Sequence, residues 1–111
     1  MDLNDLNNPS FEPGGKFEKV YTWLNAHAAE YGFCQPYTAK NADRPNGYNE
    51  ERWHWSYTPL SIPFLDEYLQ TVTNELLTGF TGSETASAIQ VVEQYAAGIN
   101  HDCAGLSVPK K

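Results

Sequence analysis

Hydrophobic and polar positions recur with two different periods along this chain, and the periods divide it into elements. Phe17, Val20, Tyr21, Leu24, Ala28 and Tyr31 fall at three- and four-residue spacing, which lines one face of an α-helix. Gly32 comes next, and glycine takes the left-handed conformation that closes a helix without a Cβ penalty. An amphipathic helix over about 17–31 is predicted. Around Trp53 the period drops to two: Trp53, Trp55 and Tyr57 alternate with Arg52, His54 and Ser56, as on a strand whose side chains point to opposite faces in turn. Pro59 ends that run. Ile62 to about Leu77 reads as a second helix with Pro63 tolerated in its first turn. Gly79 and Gly82 break it, and Ser83 is placed to cap a third helix over Glu84–Ala97. Ala88, Ile89, Val92, Tyr95 and Ala96 would form its apolar face.

The segments between these elements are rich in turn formers. Residues 1–16 hold Asn7, Asn8, Pro9, Pro13, Gly14 and Gly15 and read as an extended start followed by a loop. Residues 33–50 hold Pro36, Pro45 and Gly47 and read as a loop with one short strand at its start. From Asn100 onward the chain reads as a loose tail. The expected architecture is α+β, a small antiparallel sheet packed with about three helices. One strand cannot stand alone, because its N–H and C=O groups need partners. Either further strands lie within 1–12 and 33–49, or part of the sheet lies outside this chain. The 111 residues suit a single domain.

Charge narrows the partners. The net charge is −7 and the adjacent basic pair is Lys110–Lys111, so no basic stripe is available for a phosphate backbone or an anionic membrane surface. No apolar run reaches the length of a bilayer span. The start, Met1-Asp2-Leu3-Asn4-Asp5, lacks the basic and apolar regions of an export signal. The two cysteines, Cys34 and Cys103, are too few for a disulfide framework and lack structural-zinc spacing. They are either free thiols or one disulfide closing a long loop.

Candidate chemistry gathers near Glu51 and His54. A catalytic zinc site takes three protein ligands and keeps one position open, and a nearby carboxylate accepts the proton of the attacking water. His54 suits a ligand and Glu51 suits the base. On a regular strand these two positions point to opposite faces. They can serve one centre only if Glu51 sits in the loop before the strand or at a bulge.

Glu51-Arg52-Trp53-His54 resembles the Glu-x-Trp-His signature of the zinc D-alanyl-D-alanine carboxypeptidases, members of the LAS group of peptidases. Tyr31-Gly32-Phe33 after a helix, and Gly47-Tyr48 in the polar loop, are similar to the family's approach to that signature. Met1-Asp2-Leu3 is similar to the end of the family's first motif, Ser-x-His-x-x-Gly-x-Ala-x-Asp. The resemblance covers about 2–58 and implies the back half of a peptidase core, with 59–111 as a helical C-terminal extension. It implies zinc held by Asp2 and His54, Glu51 as general base, and a peptidoglycan stem peptide as substrate, with an endopeptidase as the nearest variant. For the parent enzyme it implies the periplasm or cell envelope. The family's first zinc-binding His has no counterpart here, and His27 and His101 match no ligand position. The alternative is therefore a catalytically incomplete fragment or pseudoenzyme serving as a binding or scaffold module.

Trp55 and Arg52 are the candidate substrate contacts. Trp53, Trp55, Tyr57 and Tyr48 suit either a peptide groove or a core, and at least two of them are expected in the core. Arg44 and Arg52 suit either carboxylate clamps or solvated surface positions, and the second is the expectation.

Overall fold

The computed structural model of the chain describes residues 1–105; the end of the expected tail lies outside them. The first helix, α1, spans Glu18–His27 and continues as a tight 3-10 turn over Ala28–Tyr31. Together they fill the predicted range. Gly32 closes them at φ 84°, with its N–H directed to the carbonyls of Ala28 and Ala29. A side chain there would be strained, and its Cβ would meet Tyr57 at 3.1 Å.

Past Gly32 the chain enters β1, Phe33–Cys34, which pairs antiparallel with β2, Ser56–Tyr57. Phe33 faces Tyr57 and Cys34 faces Ser56. A second antiparallel contact, one residue pair long, joins Asp2 to His54. The partners required by the central strand thus come from both segments where further strands were expected. The fold is α+β with an incomplete sheet. The strand is shorter than its alternation suggests, because 51–53 turn rather than extend: His54 N–H donates to Glu51 O at 3.3 Å.

The core of the first half is an aromatic stack. Phe11 is 2% exposed, lies 5.5 Å from Phe17 and meets Tyr21 edge-on at 6.4 Å. Tyr21 meets Trp55 at 6.3 Å. Burying a side chain such as Phe11 stabilises by about 2–3 kcal/mol. The stack binds the N-terminal segment, α1 and the 53–57 segment into one unit.

The second half departs from expectation at its boundaries. The helix α2 spans Thr58–Thr71. It begins four residues earlier than the periodicity indicates, because Pro59 falls in its first turn, where no N–H is needed. Pro63 consequently lies inside it. The third predicted helix is broken. A 3-10 turn at Ser83–Thr85, without a side-chain cap, leads to α3, Ala86–Ile89. Gln90 then takes φ 50°, and a wide π turn covers Val92–Ala96. Buried Asn74 supplies the physical reason: its Oδ1 accepts the Val92 N–H at 2.9 Å, competing with the helical carbonyl. Residues His101–Ala104, expected to be loose, form a 3-10 turn whose cap is Asn100, with Oδ1 accepting from Asp102 N at 3.1 Å.

Cys34 and Cys103 are joined as a disulfide, with Cα atoms 5.6 Å apart across 69 residues of sequence. It ties the last described turn to β1.

Candidate functional site

The site is built where Met1–Leu3 runs antiparallel to 53–55. Leu3 N–H donates to Trp53 O at 2.8 Å, and Trp55 N–H donates to Met1 O at 2.9 Å. The N-terminal ammonium adds a bond to Trp55 O at 2.9 Å. These bonds flank the Asp2–His54 pair and leave it without a backbone bond of its own. In such a pair the Cα atoms approach most closely and both side chains project on one face. Asp2 Oδ1 accordingly lies 2.6 Å from His54 Nδ1. The two side chains are 52% and 31% exposed, so the face is open to a ligand.

Glu51 lies before the strand, in the turn closed by the His54 N–H, so strand alternation does not set its face. Its backbone is fixed by a bond from Glu51 N–H to Tyr37 O at 2.8 Å. Buried Gln35 joins the same carbonyl groups. Its Nε2 donates to Tyr37 O at 2.9 Å and Glu51 O at 3.3 Å, while its Oε1 accepts from Tyr21 Oη at 2.7 Å.

Sequence reasoning did not single out Tyr37. Its ring stacks on His54 at 5.4 Å with 28° between planes. The Tyr37 hydroxyl is held above its ordinary pKa, first by burial and then by the negative charge of Glu51, with Tyr48 adding and Arg44 opposing. Glu51 is thus within electrostatic reach of a ring that rests on His54. No periodicity marks Tyr37. The available signal was an aromatic residue next to Pro36 in an otherwise polar loop.

The two candidate substrate contacts are taken up by the fold. Trp55 is 3% exposed and its Nε1 donates to Arg52 O at 3.0 Å. Arg52 lies 4.8 Å over the Tyr21 ring, pairs with Glu50 at 3.0 Å and reaches Phe11 O. Both brace the turn that carries Glu51 from behind. Arg44, expected at the surface, is 3% exposed. Its guanidinium donates to the carbonyls of Thr38, Asn46, Tyr48 and Gly98. It ties a loop together and offers no free fork to a substrate.

His27 pairs with Glu30 at the surface and His101 sits exposed in the last turn. A cavity of about 560 Å³ lies under α1 and β1, lined in part by Trp55, Thr58 and Asn100. It is not lined by Asp2, Glu51 or His54.

A carboxylate oxygen and an imidazole nitrogen side by side suit zinc in kind. In number they fall one short, since no group of three His, Cys, Asp or Glu able to hold a metal is gathered among the described residues.

A family model described as D-alanyl-D-alanine carboxypeptidase (VanY) matches residues 1–60, just over half of the chain. No curated protein and no solved structure matches.

Proposed function

Because the chain belongs to the D-alanyl-D-alanine carboxypeptidase family, we propose that it carries the general base and two of the three zinc ligands of a peptidase acting on peptidoglycan stem peptides. The observation that carries this reading is the Asp2–His54 pair, which register alone brings to 2.6 Å on one open face. Asp2 and His54 would hold the ion, and zinc when bound supplies Lewis-acid polarisation of a scissile carbonyl. Glu51 takes the proton of the attacking water and passes it to the leaving amine. Tyr37 walls His54 and keeps water from one side of its ring.

A second reading has its own observation. With two ligands gathered among the described residues rather than three, the chain would act as a binding or scaffold module that keeps the family's peptide-recognising shape.

Two measurements separate these readings. Zinc titration by calorimetry should show binding that is lost in both Asp2→Ala and His54→Ala; binding indifferent to His54→Ala refutes the ligand assignment. With zinc in excess, a peptide ending in D-Ala-D-Ala should release D-alanine, and Glu51→Gln should abolish release. Release unchanged by Glu51→Gln removes the base assignment. Peptide binding with no release selects the module.

A further inference from the structure

Residues beyond 60 lie outside the family match, yet they grip the loop that positions Tyr37 and Glu51. Asn100 N–H donates to Pro36 O at 2.8 Å, and Asn100 Nδ2 donates to Gln35 O at 3.2 Å. Gln35 is the residue whose side chain bonds both Tyr37 O and Glu51 O. Two residues earlier, Gly98 O accepts from the buried Arg44 at 3.3 Å. The Gly98 backbone presses on Gly47 so closely that a Cβ on Gly98 would sit 3.0 Å from Gly47 Cα. Tyr95 meets Tyr48 edge-on at 5.4 Å. The segment is fastened at its far end by the Cys34–Cys103 disulfide, whose other half lies next to Gln35.

We propose that residues 98–103 are a positioning element for Glu51, latched by the Cys34–Cys103 disulfide, so that the order of the site follows the thiol–disulfide state of the chain. The grip has two parts. The covalent part holds 103 against β1, and the hydrogen-bonded part at Asn100 fixes the Gln35 backbone from which the Glu51 carbonyl is held. A dithiol reductant supplies two electrons and two protons, leaves Cys34 and Cys103 as thiols and is itself oxidised to a disulfide. The hydrogen-bonded part then stands alone, and local opening of this segment is no longer opposed by a covalent tie. The positioning role rests on Glu51 being the base, but the latch can be read without zinc or substrate.

The test is amide hydrogen exchange on the whole chain. Asn100→Ala, with the disulfide intact, should raise exchange at the Glu51 amide at least about tenfold, as the loss of two hydrogen bonds implies. Amides within α1 should change by less than about twofold, as expected when opening is local. Asn100→Asp retains an oxygen to cap Asp102 but loses the Nδ2 donor. It should leave 101–104 protected and still free the Glu51 amide, which a purely structural capping role would not do. Dithiol reduction, and the Cys34→Ser/Cys103→Ser pair, should free the same amides. If the reduced chain unfolds as a whole, the two Asn100 variants decide. An unchanged Glu51 amide in both, or equal rises across α1 and the site, overturns the proposal. Because these readouts need no catalysis, their failure is distinct from a failure of the peptidase reading.

Discussion

Replacing Arg44 with Met tests the most consequential difference between expectation and structure. A solvated arginine on the surface would make the change nearly neutral, within about 0.5 kcal/mol. The observed side chain is 3% exposed and serves carbonyls on three stretches of chain. Nη1 donates to Asn46 O at 2.8 Å, Tyr48 O at 3.0 Å and Gly98 O at 3.3 Å, while Nη2 donates to Thr38 O. Hydrogen bonds from a charged donor each contribute about 1.5–3 kcal/mol, and a buried acceptor left without a partner costs about 1–3 kcal/mol. Two of the acceptor residues, Asn46 and Tyr48, are exposed, so water can replace part of what is lost. Counting about 1 kcal/mol for each of the three shorter contacts gives about 3 kcal/mol, a large share of the 5–15 kcal/mol typical of a domain. Urea unfolding followed by tryptophan fluorescence should show a midpoint lower by about 2 M, taking an m-value of about 1.5 kcal/mol/M. Arg44→Lys should recover less than half, because an ammonium cannot span acceptors that a planar fork reaches. A midpoint within about 0.3 M of the parent for Arg44→Met, at that m-value, would refute the account of Arg44 as the loop's internal tie.

Other outcomes follow from the same contacts. The Cys34–Cys103 bond closes 69 residues, so chain entropy predicts that the Cys34→Ser/Cys103→Ser pair loses about 4 kcal/mol in urea unfolding; a loss below about 1 kcal/mol would mean that the unfolded chain is already compact there. Tyr37 has its pKa raised from 10.0, chiefly by burial and then by Glu51. Its contribution to stability is therefore full below pH 10 and is lost as pH climbs through the higher folded value. In chelator-treated buffer, ultraviolet titration of the tyrosines should show a late-ionising component that Tyr37→Phe removes, and its persistence in that variant would reassign it.

How much could be read from the sequence depended on where each residue's partners lie. The first helix was legible because its evidence is local: the apolar spacing from Phe17 to Tyr31 and the glycine at 32 need no distant partner. The third helix was not, because what interrupts it is Asn74, at a distance of 18 residues from the Val92 amide it bonds. Arg44 failed for the same reason. Its acceptors include Gly98, which is 54 residues away, and nothing near Arg44 in sequence marks it as buried.

The site divides along the same line. The residue types were legible in Asp2 and in Glu51-x-Trp53-His54, but the meeting of Asp2 with His54 was a matter of register. A slip of one residue between 1–3 and 53–55 would turn Asp2 to the face opposite His54. The bonds from Leu3 to Trp53 and from Trp55 to Met1 forbid that slip. Those bonds depend in turn on Trp55 being held in the core, 3% exposed against Tyr21. Trp55 therefore has a larger part in the site than a substrate contact would have given it. By filling the inner face of the strand it fixes which residues face outward, and so turns His54 toward Asp2.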